Sequence, residues 1–260
     1  MVDEEFVQRW VERLRAEVPD AVAVLVGGSQ VRGDAGPHSD VDFDIVVPDG
    51  PRDEWPAWFA DGVRVSTWIR DVDTWQAARS QPQDWAFGLP CADPVRLCWA
   101  ADDSWRQRFD LTEVRYPAGV PELDHLEGEA GKVANAMAAG DTLGLRLAAQ
   151  DLARSVVSIL LPLNAVPPVR GRGEALRALL GFTVVPDGYR EDMLTCMGLA
   201  DRYAAAGEVH AAACRLVRGV LALLEEHAAV FIGLVPEWEA RSLSDGGLRR
   251  YLDSVLPEDR

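Results

Sequence analysis

Apolar residues at helical spacing open the chain: Phe6, Val7, Trp10, Val11 and Leu14 share one stripe of residues 3–17, which predicts an amphipathic helix. The pattern then changes. "AVAVLV", Ala21 to Val26, is wholly apolar, rich in valine and followed by Gly27-Gly28, which reads as a central strand. "GSQVRG" comes next, with permissive glycines and a serine placed to cap a short helix. In "VDFDIVV" the apolar Val41, Phe43 and Ile45 alternate with Asp42 and Asp44, and "PDG" closes this second strand as a turn. "RVSTWI" (Arg64 to Ile69) and "VRLCWA" (Val95 to Ala100) supply a third and a fourth strand, each followed by a helix, "DVDTWQAARS" and "DDSWRQRF". After "RYPAGVPEL" the period is helical, with helices expected over 122–139, 141–161, 173–180, 188–206, 208–230 and 245–254. The proline-rich "LPLNAVPPVRGRG" separates the second of these from the third. The predicted fold is therefore α+β, of α/β type: a small mixed-sheet domain over 1–118, then an all-α helical bundle over 119–260.

Composition narrows the function classes. Acidic residues outnumber basic ones by 42 to 26, a formal charge of −16. A non-specific nucleic-acid binder needs a basic stripe to neutralise phosphates, so nucleic acid is not an expected partner. The balance suits solubility and is compatible with a neutral or cationic small substrate. Cys91, Cys98, Cys196 and Cys214 are widely spaced in apolar contexts and indicate neither a disulfide frame nor a zinc site. The acidic, amphipathic start does not read as a secretory signal, and "VVSILLPL" is too short to cross a bilayer. A soluble, cytoplasmic protein without a membrane partner is the expectation.

The chemistry concentrates in the second strand. Residues two apart in a strand share a face, about 6.7 Å apart at the backbone, so Asp40 and Asp42 can converge on one or two divalent cations. Val41, Phe43 and Ile45 bury the opposite face. Hard oxygen ligands suit Mg²⁺, which engages a few carboxylates together with substrate phosphates. Two such ions roughly 3.5–4 Å apart clamp the attacking and leaving oxygens of an in-line phosphoryl displacement. The preceding turn complements them: Gly27 and Gly28 let the backbone approach a ligand, and Ser29 adds a hydroxyl. Asp44 shares the carboxylate face one pleat deeper. It reads either as an auxiliary metal ligand or as a carboxylate satisfied by an arginine such as Arg64.

"GGSQVRGDAGPHSDVDFDIVV" resembles the nucleotidyltransferase superfamily typified by DNA polymerase β and the antibiotic nucleotidyltransferases. Gly28 and Ser29 match the family's phosphate-binding Gly-Ser, Arg32-Gly33 its Arg-Gly, and Ser39-Asp40-Val41-Asp42 its metal-binding core. From residue 120 on, "LPLNAVPPVRGRGEALRALLGFTVVPDGY" is similar to the helical C-terminal domain of the small-molecule enzymes. The resemblance implies transfer of a nucleoside monophosphate, AMP from ATP, onto a hydroxyl of a small acceptor such as an aminoglycoside- or lincosamide-like antibiotic, with release of pyrophosphate. It implies two Mg²⁺ ions, Asp40 and Asp42 as catalytic and metal-binding residues joined by Asp44, and Gly28, Ser29, Arg32 and Ser39 as nucleotide-binding residues. Two other uses of the fold remain: modification of a protein partner, as by an antitoxin, and a lapsed nucleotide-binding module.

One departure stands out. Family members usually carry a third carboxylate on the next strand, where "VRVSTWIRDVD" offers Ser66 and Thr67. The substitutes are Asp44, Asp71, Asp102 or Asp103, and from the helical half Glu122, Glu129 or Asp151; the general base stays unassigned. His38 precedes the carboxylate strand, Trp85 and Trp99 are candidate pocket walls, and Asn164, Arg170 and Arg172 flank the proline-rich break. For each of these a structural role is the simpler reading.

Overall fold

The amphipathic stripe becomes helix α1 (Glu4–Glu17) in the computed structural model, which describes residues 2–50 and 52–256. The Asp3 carboxylate caps the helix by accepting the Phe6 N–H at 2.8 Å, with Glu4 and Glu5 in the first turn and Arg15 in the last, as the helix dipole favours. The next elements, in chain order, are β1 (Ala23–Gly27), α2 (Gly28–Arg32), β2 (Val41–Val47), β3 (Asp53–Glu54), β4 (Ala57–Ala60), β5 (Val63–Asp71) and α3 (Val72–Ala78). They are followed by β6 (Cys91–Pro94), β7 (Arg96–Ala100), α4 (Asp103–Phe109) and β8 (Glu113–Tyr116).

The main sheet runs in the order β3-β5-β2-β1-β7, with β4 also on β5. β2 and β5 are parallel and the other pairs antiparallel, so the sheet is mixed. Its two faces differ in chemistry. One buries Val24, Val26, Val41, Phe43, Ile45, Val65 and Ile69 under Phe6, Trp10 and Leu14 of α1. Each such side chain contributes about 1.5–3 kcal/mol, and a one-residue slip of β2 would exchange them for aspartates, so the register is firmly held. The other face carries Ala23, Leu25 and Val46 against Trp75 of α3, Phe109 of α4 and Val114 of β8. Trp75 and Phe109 meet edge to face at 5.0 Å. Beside this second cluster lie Asp42 and Asp44. A separate two-stranded ribbon, β6 with β8, completes this part of the chain.

The helices of the second half are α5 (Leu123–Ala139), α6 (Thr142–Leu160), α7 (Arg172–Leu180), α8 (Tyr189–Cys196), α9 (Ala206–Glu226), α10 (Ala228–Ile232), α11 (Glu237–Ser244) and α12 (Gly247–Val255). Gly140, at φ 68°, ends α5, and the Asp141 carboxylate starts α6 by accepting the Gly144 N–H at 2.9 Å. Leu126, Val133, Leu152, Val156, Leu216 and Val220 are among the buried residues of α5, α6 and α9. Asn164 is buried at the proline-rich break and acts structurally. Its amide donates to the Leu160 and Val184 carbonyls at 2.9 and 3.0 Å and accepts the Thr183 and Val184 N–H groups at 2.8 and 3.0 Å.

The described chain divides into two compact units. One comprises the residues up to Pro82 together with Pro90–Pro117, the other Gln83–Leu89 and the residues from Ala118 on. Gln83–Leu89 thus falls with the helices, although it lies well before the expected boundary at 118/119.

Several expected elements need correction. The helix over 188–206 ends at Cys196, where Gly198 takes a φ of 70°, and α9 begins only at Ala206. The helix over 208–230 breaks at His227 into α9 and α10. Helix α11 and the short strands β3, β4, β6 and β8 were not expected; "DE" and "CADP" carry little β propensity and become strands through their pairing with β5 and β8. Ser29 does not cap α2: Gly27 holds that position, with no side-chain cap.

Candidate active site

Ladder register sets out the site. Asp42 pairs with Gly27 of β1 on one side and with Ser66 of β5 on the other, and Asp44 pairs with Trp68. A cavity of about 360 Å³ opens over this face. Gly27 and Gly28 line it together with Asp42, Asp44 and Asp93, and its aromatic lining comes from Trp55, Trp68 and Tyr116, with Ser66 and Arg70 beside them.

Gly28 is required twice over. Its φ is 68°, which L side chains rarely adopt, and a Cβ there would sit 2.5 Å from Asp42 Oδ2. The backbone turn therefore lies directly against the Asp42 carboxylate. Burial chiefly, and then the charges of Asp40, Asp93 and Asp44, push the Asp42 pKa up to about 6, against a weaker opposite pull from Arg64. Asp40, just before β2, offers one oxygen to two donors: the Ser66 hydroxyl and Arg64 Nη1, each 3.2 Å from Oδ2.

Asp44 sits apart from Asp40. Burial raises its pKa to about 6, opposed by the charge of Arg70 and by a hydrogen bond from Trp75. Its arginine neighbour is therefore Arg70, not Arg64, which lies on Asp40. Arg70 is itself anchored, with Nε 3.2 Å from Asp53 and its guanidinium 3.5 Å from the centre of the Trp68 ring. Trp55 meets Trp68 edge-on at 6.0 Å.

Asp93, from β6, is the carboxylate that the sequence pattern does not reveal. It lies in the cavity with Asp42 and Asp44, and it bears on the pKa of both. Burial raises its own pKa, and Arg32, whose Nη1 lies 3.3 Å from Asp93 Oδ1, counters that rise. Arg32 also donates Nε to Asp34 at 3.2 Å, so it is held between two carboxylates. Asp93 stands in "CADPV", where nothing marks it; the antiparallel pairing of Asp93 with Val114 puts it in place.

The other expected residues are distributed as follows. Ser39 closes a turn, its hydroxyl accepting the Gly36 N–H at 2.8 Å. Gln30, unremarked in the sequence, ties α2 to the carboxylate strand by donating to the Asp40 carbonyl at 3.3 Å. Asp71 is the N-cap of α3; it accepts from the Asp73, Thr74 and Arg52 N–H groups and the Thr74 hydroxyl. These bonds, the Thr74 hydroxyl first, hold its pKa near 2, which accounts for both of its oxygens without a ligand role. Asp102 caps α4 in the same way. Trp99 packs on the α1 side with Arg15 4.2 Å from its ring centre, and Trp85 lies in a one-turn helix (Asp84–Ala86) of the other unit. The aromatic walls are Trp55, Trp68 and Tyr116 instead. His38 is exposed. Among the described residues, no three His, Cys, Asp or Glu side chains are gathered in a group that would hold a metal alone.

A mixed sheet that presents paired carboxylates against a glycine turn, on a chain that continues into helices, is the arrangement that the resemblance to nucleotidyltransferases implies. Residues 7–79 match the family described as "Nucleotidyltransferase domain", and residues 122–226 match "Nucleotidyltransferase, substrate binding domain". The chain belongs to the nucleotidyltransferases, with the domain organisation of the antibiotic-modifying type. Such an enzyme takes a nucleoside triphosphate, usually with a divalent metal, and a small-molecule acceptor. No curated protein matches the sequence at a significant level. Among solved structures, the chain is similar to a nucleotidyltransferase-like protein from Exiguobacterium sibiricum 255-15, with 12% identity, a TM-score of 0.41, and coverage of 89% of this chain and 79% of that one. No helix among the described residues is long and apolar enough to cross a membrane.

Proposed function

We propose that this enzyme transfers AMP from ATP to a hydroxyl of a small cationic acceptor, such as an aminoglycoside- or lincosamide-like antibiotic, and releases pyrophosphate. The observation that carries this reading is one cavity in which Asp42, Asp44 and Asp93 face aromatic walls from Trp55, Trp68 and Tyr116. Acidic groups beside aromatic faces favour a ring-shaped acceptor bearing ammonium groups.

Asp40 and Asp42 are the metal-binding pair. Their donor set is hard oxygen, and the burial of Asp42, with the repulsion of its acidic neighbours added to it, is the cost of ionisation that a divalent cation offsets. Bound there with the triphosphate, Mg²⁺ supplies neutralisation of the phosphate oxygens. Because Mg²⁺ typically takes one or two carboxylates and completes its shell with phosphates and water, a pair suffices and no three-carboxylate cage is needed. Gly28 and Ser29 present backbone N–H groups and a hydroxyl to the β- and γ-phosphates. Asp93 is the general base: the acceptor oxygen forms a bond to the α-phosphorus, its proton passes to the Asp93 carboxylate, and the bond from the α-phosphorus to the oxygen of the β-phosphate breaks. A carboxylate with a raised pKa is better matched to that task than an ordinary one. Asp44, engaged by Trp75 and facing Arg70, belongs to the acceptor's wall and not to the metal pair. Arg32 and Ser39 act on the site's own framework, Arg32 by steadying Asp93.

The test is direct. The protein is incubated with Mg²⁺, each α-labelled nucleoside triphosphate and a panel of hydroxylated antibiotics, and pyrophosphate release is followed with label transfer. ATP-dependent labelling of an amine-bearing acceptor is expected, lowered by on the order of 10²–10³-fold in Asp42→Asn with the circular dichroism spectrum unchanged. Label on a co-purified protein, or nucleotide binding without turnover on any acceptor, overturns the assignment.

A further inference from the structure

Where the resemblance implies a third acid, the sequence offers Ser66, and the geometry gives that serine a definite partner. In the parallel pairing of β2 with β5, Ser66 stands opposite Asp42, yet its hydroxyl reaches Asp40 Oδ2 at 3.2 Å. Arg64 Nη1 approaches the same oxygen at 3.2 Å. Both donors meet on Oδ2, and no described residue donates to Oδ1. A carboxylate held at one oxygen keeps its plane fixed and offers the other oxygen to a hard cation, which is how metal-binding carboxylates are commonly oriented.

We propose that Ser66 is a positioning residue that fixes the Asp40 carboxylate for metal binding. The inference rests on the reading of Asp40 and Asp42 as the metal pair. The two donors are not equivalent. The Arg64 side chain is 53% exposed, so its ion pair is screened by solvent and adds little to the fixing of Asp40. Ser66 is partly buried, lines the cavity and belongs to a strand paired on both sides, so its hydroxyl is the donor with a fixed origin. A neutral donor also suits the charge already present. A further carboxylate at this position would add to the repulsion that Asp40, Asp93 and Asp44 exert on Asp42. With the base supplied from β6, the β5 position is released from carrying an acid and orients one instead.

The experiment is a titration of the metal-free, full-length protein with Mn²⁺, with free Mn²⁺ read from its electron paramagnetic resonance signal. Ser66→Ala is expected to bind Mn²⁺ roughly 10–100-fold more weakly than the wild type, the range seen when the partner of a metal ligand is removed. Ser66→Thr, which keeps the hydroxyl, is expected to restore binding to within about threefold, and Arg64→Gln to stay within the same margin. Thermal melting of each variant in EDTA checks that the fold is intact. Equal affinity in Ser66→Ala and wild type overturns the proposal, as does a loss that appears in Arg64→Gln instead. Asp42→Asn separates the two levels. If it abolishes binding while Ser66→Ala binds normally, only the role of Ser66 fails. If Asp42→Asn binds as the wild type does, or the wild type does not bind, the metal pair fails and the role of Ser66 with it.

Discussion

Gly28 shows how little space the site leaves to a single residue. The left-handed backbone at φ 68° costs an alanine about 1–2 kcal/mol, and its Cβ would be 2.5 Å from an Asp42 oxygen. The strain can be relieved in two ways: the turn moves away from the carboxylate, or the carboxylate moves off its place over the cavity. Either displaces a reacting group by a large fraction of an ångström, and misplacement of about 1 Å costs on the order of 10²-fold in rate. Gly28→Ala is therefore expected to lower kcat by about two orders of magnitude while melting only a few degrees below the wild type. Steady-state kinetics beside a thermal melt checks this; a variant with normal kcat would mean that Asp42 does not depend on the turn. Gly27 carries no such constraint, since its Cβ would meet only ordinary contacts beyond 3.5 Å.

At the scale of elements, the decisive feature is the ribbon of β6 and β8, which brings Asp93 and Tyr116 to a face that the main sheet leaves acidic. Arg32, at the end of α2, reaches across to Asp93. If Arg32 steadies the base, its removal takes away the charge that lowers the Asp93 pKa, so the carboxyl gives up its proton only at higher pH. Arg32→Met should then move the acid limb of the kcat/KM profile to higher pH with the KM for ATP little changed. A raised KM for ATP on an unmoved limb would return Arg32 to the phosphates. This division also explains what could be read from the sequence. Ala21 to Val47 is contiguous, and its chemistry and its strand period lie in the same letters, so β1, β2 and the Asp40–Asp42 pair are visible there. Asp93, Trp55, Trp68 and Tyr116 reach the cavity through strand pairings between distant segments, three of them from or beside strands of four residues or fewer. Such strands have no periodicity of their own, and their pairing is a tertiary event. The break of the expected 188–206 helix has a similar origin: the apolar period continues past Cys196, but Gly198 ends the helix with a backbone conformation that periodicity does not register.

The whole molecule carries −16, and the site concentrates that excess where it is costly. Asp42 titrates near 6 in the folded chain against an ordinary value of about 3.8, because burial and its neighbours disfavour the charged form. A carboxylate whose folded pKa is raised keeps its proton better folded than unfolded. Its ionisation is therefore a penalty, absent below about pH 4, growing between 4 and 6, and fully present above 6. Two pKa units correspond to somewhat under 3 kcal/mol, and the coupling of Asp42 with Asp40, Asp44 and Asp93 means that the separate penalties do not simply add. Asp42→Asn removes one charge from the set. In EDTA at pH 7.5 it is expected to be more stable than the wild type by about 2 kcal/mol, a gain of several degrees in melting temperature, and the difference should shrink as the pH falls from 6 towards 4. Mg²⁺ with ATP should reverse the order, since a ligand at 100 times its Kd stabilises the protein that binds it by about 2.7 kcal/mol and the variant has lost the site. Melting curves of both proteins at pH 4.5 and 7.5, with EDTA or with Mg²⁺ and ATP, give the four comparisons. A wild type that is the more stable in EDTA at pH 7.5 would mean that the aspartates are compensated within the chain itself, and a cation would then have no repulsion to relieve.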